Sequence, residues 1–381
     1  MRVLMLSKAL IIGAYQKKTE ELARMPGVDL TVVVPPFWKE GRHRIDLERV
    51  FLDGYRLVVE PMAFNGNFHL HFYPGLGRLI RELRPDIFHV DEEPYNLATF
   101  LAIRLARRYG ARALFFTWQN LHRRLPLPFN LFERYNYASA DWAIAGSQGA
   151  RDVLLRKGFR RPISIIPQFG VDPALYSPDA ARAPAIPQTS SFNIGYVGRM
   201  VSAKGPALLL EAVSGLPGDW HLTLIGEGPL KEELRGRAAT LGITGRVTFL
   251  PYVRSEEVPM HLRALDVLVL PSLTTPSWKE QFGRVLVEAM ACEVPVVGSD
   301  SGEIPSVIGD AGLVFPEGSV DHLRQALGRI MGDPGLRASM AQQGRQRVLE
   351  RFTQAKVAQQ TYEVYTRMLA QVNAAGQEGG A

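Results

Sequence analysis

Residues 280–293 read Glu-Gln-Phe-Gly-Arg-Val-Leu-Val-Glu-Ala-Met-Ala-Cys-Glu, and an apolar strand with a small-residue turn follows from Val294 to Gly302. A Phe-Gly pair that opens an apolar helix, which then hands over to a short apolar strand, is the punctuation of an α/β sheet. The layout puts Glu280 on the loop before the helix, backbone N–H groups near Phe282 and Gly283 at its start, and Glu288 one turn inside. Helix N-termini carry unpaired donors and favour anions, and carboxylates accept hydrogen bonds from sugar and ribose hydroxyls. This corner therefore suits a phosphorylated, hydroxyl-rich ligand. A plainer reading stands beside it, because Arg284 and Glu288 are i,i+4 partners and could form an ordinary helix-surface pair. Against that, Glu288 lies on the flank of the stripe Val285, Leu286, Ala289 and Met290, not opposite it.

Working outward, short apolar segments alternate with longer amphipathic ones along the whole chain, which signals parallel sheets covered by helices. Strands are expected near 192–198, 220–225, 246–250, 266–270 and 294–298 in the second half. In the first half they are expected at 2–7, 29–34, 55–60, 86–90, 112–117, 141–145 and 163–166, with helices such as Leu70–Leu83 and Leu97–Tyr109 between them. Residues 171–191 hold Pro173, Pro178, Pro184 and Pro187 and read as a connector. Thr353–Ala374 is one long helical pattern. The expected architecture is two doubly wound domains, residues 1–170 and 192–352, with strand C-termini facing a cleft.

At 381 residues there is length for two substantial cores, and 46% hydrophobic with 22% charged residues is ordinary globular composition. No apolar run approaches a membrane span, and Met1–Leu6 reads as a first strand, not a signal peptide. The single cysteine, Cys292, excludes an internal disulfide and fits a reducing cytoplasm. Charge is uneven: residues 1–170 hold 25 of the 44 Lys+Arg and 16 of the 38 Asp+Glu, a net of +9, which leaves −3 for the remainder. Arg78, Arg81 and Arg84 recur at helical spacing. Such a face either solubilises the protein or meets an anionic membrane or phosphate-bearing partner. No aromatic-interleaved basic motif or helix-turn-helix signature points to nucleic acid.

Three further clusters end strands in the second half. Gly195-Tyr196-Val197-Gly198-Arg199 leads into Ser202-Ala203-Lys204-Gly205, where Arg199 and Lys204 can bring two positive charges beside backbone N–H groups, as a diphosphate clamp would. Gly226 and Gly228 in Ile225-Gly226-Glu227-Gly228-Pro229 would let a planar base approach the backbone, although a plain strand-to-helix turn has the same pattern. Leu270-Pro271-Ser272 ends a strand just before Glu280.

In combination these residues resemble the family-4 retaining glycosyltransferases of the GT-B fold. The likeness runs through the second domain and extends to a C-terminal helix that, in this family, crosses back to the first domain. The resemblance implies that Arg199 and Lys204 hold a donor's phosphates, with Gly198, Gly226, Gly228 and Ser272 lining the donor site and Glu288 on the nucleotide ribose. It also implies that Glu280 and the N–H groups of Phe282 and Gly283 grip the donor sugar. The first domain departs from the pattern. Its first loop, Lys8–Tyr15, has one glycine where the family often has two. The family's histidine after the fifth strand is replaced by Thr117-Trp118-Gln119-Asn120, with His122 two residues on. Gln119 or Asn120 could supply the missing hydrogen bond. Asp91-Glu92-Glu93 ends the fourth strand and could bind an acceptor hydroxyl or, alternatively, cap the helix beginning near Tyr95.

No Asp-x-Asp motif is present, and Arg199 with Lys204 could neutralise a leaving diphosphate, so no metal or other cofactor is expected. The expected activity is metal-independent transfer of a sugar, with retained anomeric configuration, from a nucleotide-diphosphate sugar to a hydroxyl acceptor. The basic first half tilts the acceptor towards a lipid-linked or cell-envelope glycan, handled in the cytoplasm or at the inner membrane face. Two alternatives remain: a nucleotide-sugar epimerase of the same fold, and a non-catalytic nucleotide-sugar-binding subunit. The first would want several acid–base side chains in the cleft, and Trp118-Gln119-Asn120 offers none; the second has no need of Arg199, Lys204, Glu280 and Glu288 together.

Overall fold

A computed structural model of the chain describes residues 1–41, 43–179, 181, 183 and 191–378. Two compact units emerge: residues 1–170 with 354–381, and residues 171–353. In the first, strands β1 (Arg2–Leu6), β2 (Asp29–Val34), β3 (Phe37–Glu40), β4 (His43–Asp46), β5 (Arg56–Val59), β6 (Ile87–Val90), β7 (Arg112–Thr117), β8 (Trp142–Ala145) and β9 (Ile163–Ile165) occur in chain order. Helices α1 (Gly13–Ala23), α2 (Leu76–Leu83), α3 (Leu97–Tyr109), α4 (Phe129–Ser139) and α5 (Gln148–Arg156) lie between them. Among the described residues, seven of these strands form a parallel sheet in the order β5-β2-β1-β6-β7-β8-β9, and β3 and β4 make a separate antiparallel hairpin.

The second unit holds β10 (Phe192–Val197), α6 (Pro206–Ser214), β11 (Trp220–Ile225), α7 (Lys231–Thr240), β12 (Val247–Leu250), α8 (Val258–Leu262), β13 (Val267–Leu270), α9 (Arg284–Ala291), β14 (Val296–Ser299), α10 (Ile304–Ile308), β15 (Leu313–Phe315), α11 (Val320–Gly332) and α12 (Pro334–Arg351). Its sheet runs β12-β11-β10-β13-β14-β15, all neighbours parallel. In both sheets the order reverses beside the first strand of the unit. In doubly wound sheets ligands bind at the strand C-termini near that reversal. Helix α13 (Gln354–Glu378) then belongs to the first unit.

Parallel strands are covered on both faces and so read as continuous apolar runs, and β1 shows why. Leu4 and Leu6 face one layer with Ile80, Phe88 and Ile103, while Val3 and Met5 face the other with Val32, Leu114 and Ile144. That second layer is closed by Val357, Ala358, Val364, Tyr365 and Met368 of α13. Each large side chain fully buried there stabilises the unit by about 1.5–3 kcal/mol.

Three local expectations change. The helix expected over Leu70–Leu83 starts only at Leu76, because Asn67 first holds a turn through the N–H groups of His69 and Leu70, and Phe72 pairs with Ala63. The β3–β4 hairpin departs from the expected strands, since Lys39, Glu40 and Arg44 interrupt any apolar run. The described start of the connector packs as core of the second unit, with Val171 and Tyr176 buried beside Leu286 and Met290. Pro184 and Pro187 lie outside the described residues.

Candidate functional site

In the second unit the candidate residues sit on the loops leaving β10, β11 and β13 and on the start of α9. After β10 the chain turns through Gly198 and Arg199, with the buried Tyr196 hydroxyl donating to the Arg199 carbonyl at 2.7 Å. The next loop packs backbone to backbone: Gly198 N–H donates to Ile225 O at 3.0 Å and Met200 N–H to Glu227 O at 2.9 Å. A Cβ at Gly226 would lie 2.1 Å from Gly198 O, and one at Gly228 would lie 2.3 Å from Met200 O. These two glycines are therefore required by the neighbouring loop itself. Gly205, at φ +69°, closes the turn over Ser202–Lys204 against Pro271, and a Cβ there would lie 1.9 Å from Pro271 O.

That close approach brings Lys204 to Glu280. Its ammonium donates to Glu280 Oε2 at 2.6 Å, Ser272 Oγ donates to the same oxygen at 2.8 Å, and the Trp278 ring lies 5.0 Å from the Lys204 nitrogen. Glu280 is buried, and the Ser301–Glu303 turn backs it, with Glu303 N–H donating to Glu280 O at 3.2 Å. A buried carboxylate held by a lysine and a hydroxyl is fixed in direction, ready to accept from ligand hydroxyls. Burial, then the nearby Glu280 charge, raises the pKa of the Tyr196 hydroxyl, keeping it a neutral donor.

Glu288 points the same lesson differently. The expected i,i+4 pair is present, Arg284 Nε donating to Glu288 Oε1 at 2.7 Å. It is not a surface pair, because Glu288 is only 9% exposed and Tyr176 donates its hydroxyl to the same oxygen at 3.2 Å. Burial and the Glu288 charge push the Tyr176 pKa up, so the phenol remains a donor. Gly283 at φ +78° starts α9, and Phe282 packs edge-on against Phe352 at 5.7 Å. Arg199 is exposed and makes no ion pair among the described residues, so it is not drawn into the Lys204–Glu280–Ser272 group. Cys292 caps α9 from inside the core, and burial lifts its thiol to about 12, which makes it packing and not chemistry.

In the first unit the acidic run ends β6 and does not cap α3, whose N-cap Asn96 makes no side-chain cap bond. Each carboxylate instead ties a neighbouring strand end. Asp91 accepts from Ser7 Oγ at 2.7 Å and lies 3.8 Å from the buried Lys18 ammonium. Glu92 pairs with Lys8 and lies 3.6 Å from His71 Nε2; burial opposes its charge, but Lys8 and His71 hold it down at about 2. Glu93 accepts from Thr117 Oγ1 at 2.6 Å and Trp118 N–H at 2.8 Å, and burial outweighs these bonds to lift it to about 7. Gln119 accepts from Lys157 at 3.2 Å, Asn120 is buried, and His122 is exposed.

Tyr176, Lys8 and Trp278 escaped the sequence reading. Lys8 carried a usable signal, its place just beyond the C-terminus of β1. Tyr176 carried none, being hidden in a Pro- and Ala-rich stretch. Among the described residues no group of three or more His, Cys, Asp or Glu is gathered as metal ligands would be.

Comparison with known proteins places the chain in a family. Residues 18–175 match a family model described as Glycosyltransferase Family 4, and residues 179–347 one described as Glycosyl transferases group 1. A GDP-mannose-dependent alpha-(1-6)-phosphatidylinositol monomannoside mannosyltransferase of Mycolicibacterium smegmatis is 32% identical over 197 residues, 48% of this chain and 51% of that protein. A D-inositol 3-phosphate glycosyltransferase of Mycobacteroides abscessus is 34% identical over 214 residues, 53% and 47% of the two chains. The chain thus spans about half the length of these relatives. Among solved structures, sucrose-phosphate synthase from Thermosynechococcus elongatus superposes with a TM-score of 0.73 at 19% identity, covering 97% of this chain and 100% of that one. Anabaena Alr3699/HepE in complex with UDP gives 0.72 at 19% identity, with 96% and 100% coverage. These two share the fold.

Proposed function

The chain belongs to the group 1, family 4 glycosyltransferases of GT-B fold, and from that premise we propose that it transfers a sugar from a nucleotide-diphosphate sugar to a hydroxyl acceptor. The observation that carries this reading is the Lys204–Glu280–Ser272 group, a cation and a fixed carboxylate side by side at the strand ends of the second unit. In the reaction the acceptor oxygen bonds to the anomeric carbon as the bond to the donor phosphate breaks. The electron pair leaves with the nucleoside diphosphate, whose oxygen takes the acceptor's proton on the same face, so configuration is retained. Lys204 and Arg199 stabilise the charge growing on that phosphate and substitute for a divalent ion. Glu280 orients the sugar, and Glu288 takes the ribose hydroxyls, steadied by Arg284 and Tyr176.

The acceptor is a lipid-linked or envelope glycan. Support comes from the basic first unit and from the mannosyltransferase relative, whose name gives a phosphatidylinositol monomannoside. Peripheral contact with an anionic membrane fits the same charge, and among the described residues no helix is long and apolar enough to cross one.

The test is a thermal-shift panel of UDP-, GDP- and ADP-sugars with and without EDTA, followed by NMR of the product formed with a phosphatidylinositol mannoside. A ligand at 100 times its dissociation constant adds about 2.7 kcal/mol. One base class should shift the melt strongly and independently of EDTA, and the product should keep the donor's anomeric configuration. No shift from any donor would overturn the donor site, an inverted product the mechanism, and an epimerised donor without transfer the activity.

A further inference from the structure

The first unit carries a concavity between α4 and the segment after α5. It encloses about 440 Å³ and is lined by Arg134, Tyr137, Ala138, Lys157, Gly158, Arg160 and Arg161. The floor is neutralised: Glu133 accepts from Lys157 at 2.7 Å and from the Tyr137 hydroxyl at 3.3 Å. The rim is not. Arg134, Arg160 and Arg161 are exposed, and none makes an ion pair among the described residues. Some other arginines of this unit are matched, Arg78 with Glu60 and both Arg107 and Arg112 with Asp141, whereas the rim gathers three unpaired guanidiniums around one hollow. One rim guanidinium is already oriented, since Arg160 Nη1 donates to the Leu155 and Phe159 carbonyls at 3.1 and 3.3 Å.

Three like charges around one hollow repel each other, and a bound anion converts that repulsion into attraction. Guanidinium forks match phosphate oxygens in geometry as well as charge. We propose that this hollow is a binding site for a phosphate-bearing anion, either a phospholipid headgroup or a soluble polyphosphate. Occupancy would reach the loop after β7, because Lys157 also donates to Gln119 at 3.2 Å.

Calorimetric titration of inorganic pyrophosphate into the full chain tests it, in a Lys204→Ala background that weakens the proposed donor site. Pyrophosphate should still bind there, and adding Arg134→Gln with Arg161→Gln should cost about tenfold or more in affinity, as loss of charge-assisted phosphate contacts does. Both rim residues are exposed, so an unchanged melt confirms folding; Arg161→Gln alone serves if the pair does not express. Absent binding in the Lys204→Ala background, or equal affinity with and without the rim arginines, overturns the site. Equal pyrophosphate affinity in wild type and Lys204→Ala would count against the donor reading alone. Cosedimentation with vesicles of phosphatidylglycerol in phosphatidylcholine, reversed by pyrophosphate and lost in the rim variant, assigns the headgroup as source. Pyrophosphate binding without cosedimentation assigns the soluble anion.

Discussion

Glu93 shows how one side chain sets a pH dependence. Its carboxyl titrates near 7 in the folded chain against an ordinary 4.5, so the native state holds a proton that the unfolded state has released. Stability from this group therefore falls as pH rises from about 4.5 to about 7. His89 acts in the opposite sense: burial keeps its imidazole neutral down to about 3 against 6.5, so it adds stability as pH rises over that window. Comparing melting temperatures of wild type and Glu93→Gln between pH 5 and 8 isolates the first effect. The variant should lose the fall, and parallel curves would refute it. At Glu288 the alanine exchange leaves the buried Tyr176 hydroxyl only the long bond to the Ser255 carbonyl at 3.5 Å, a loss of about 1–3 kcal/mol in stability. Donor affinity should drop far more than that melt implies, whereas full activity would remove Glu288 from the site. Lys204→Ala should cost about 2–4 kcal/mol in transition-state stabilisation, read from kcat/KM at saturating acceptor.

At the scale of elements, the site depends on loops that approach more closely than side chains allow. Gly205→Ala would set a Cβ 1.9 Å from Pro271 O at φ +69°, and Gly226→Ala would set one 2.1 Å from Gly198 O at φ +139°. Relief requires moving backbone, not a flexible side-chain tip, so each should cost more than the roughly 1 kcal/mol of an ordinary glycine exchange. Gly236→Ala on α7, where a Cβ meets nothing within 4 Å, is the control and should stabilise or leave the melt unchanged. Equal melts for all three would contradict the close-approach argument. The carboxylates 91–93 make a parallel point in the first unit, where they stitch β6 to the ends of β1 and β7.

For the whole molecule, the chain's end completes its beginning. The Tyr365 hydroxyl and His89 Nδ1 share a hydrogen bond of 2.7 Å, and Gln354 links the Gly170 N–H to the Ala14 carbonyl at 3.2 and 3.3 Å. Truncation after Thr353 removes Val357, Val364, Tyr365 and Met368 from the first unit's core and leaves the second unit's core intact. Each buried side chain lost is worth about 1.5–3 kcal/mol. The truncated chain should lose the thermal transition of residues 1–170 while keeping the nucleotide-dependent shift of residues 171–353. Retention of both transitions would show that α13 is dispensable.

The sequence by itself determined the two parallel sheets, since strands covered on both faces must read as apolar runs whatever lies around them. It also marked Lys204 and Glu280, because loops at strand ends carry polar residues that local packing does not require, and Glu288, a carboxylate on the flank of the apolar stripe of α9. Partnership was decided only in three dimensions. Tyr176 meets Glu288 across 112 positions and Lys204 meets Glu280 across 76, separations that no periodicity encodes. Nor could spacing tell whether the acidic run caps a helix or ties strands: the choice belongs to Ser7, Lys8 and Thr117, which only the folded sheet brings alongside.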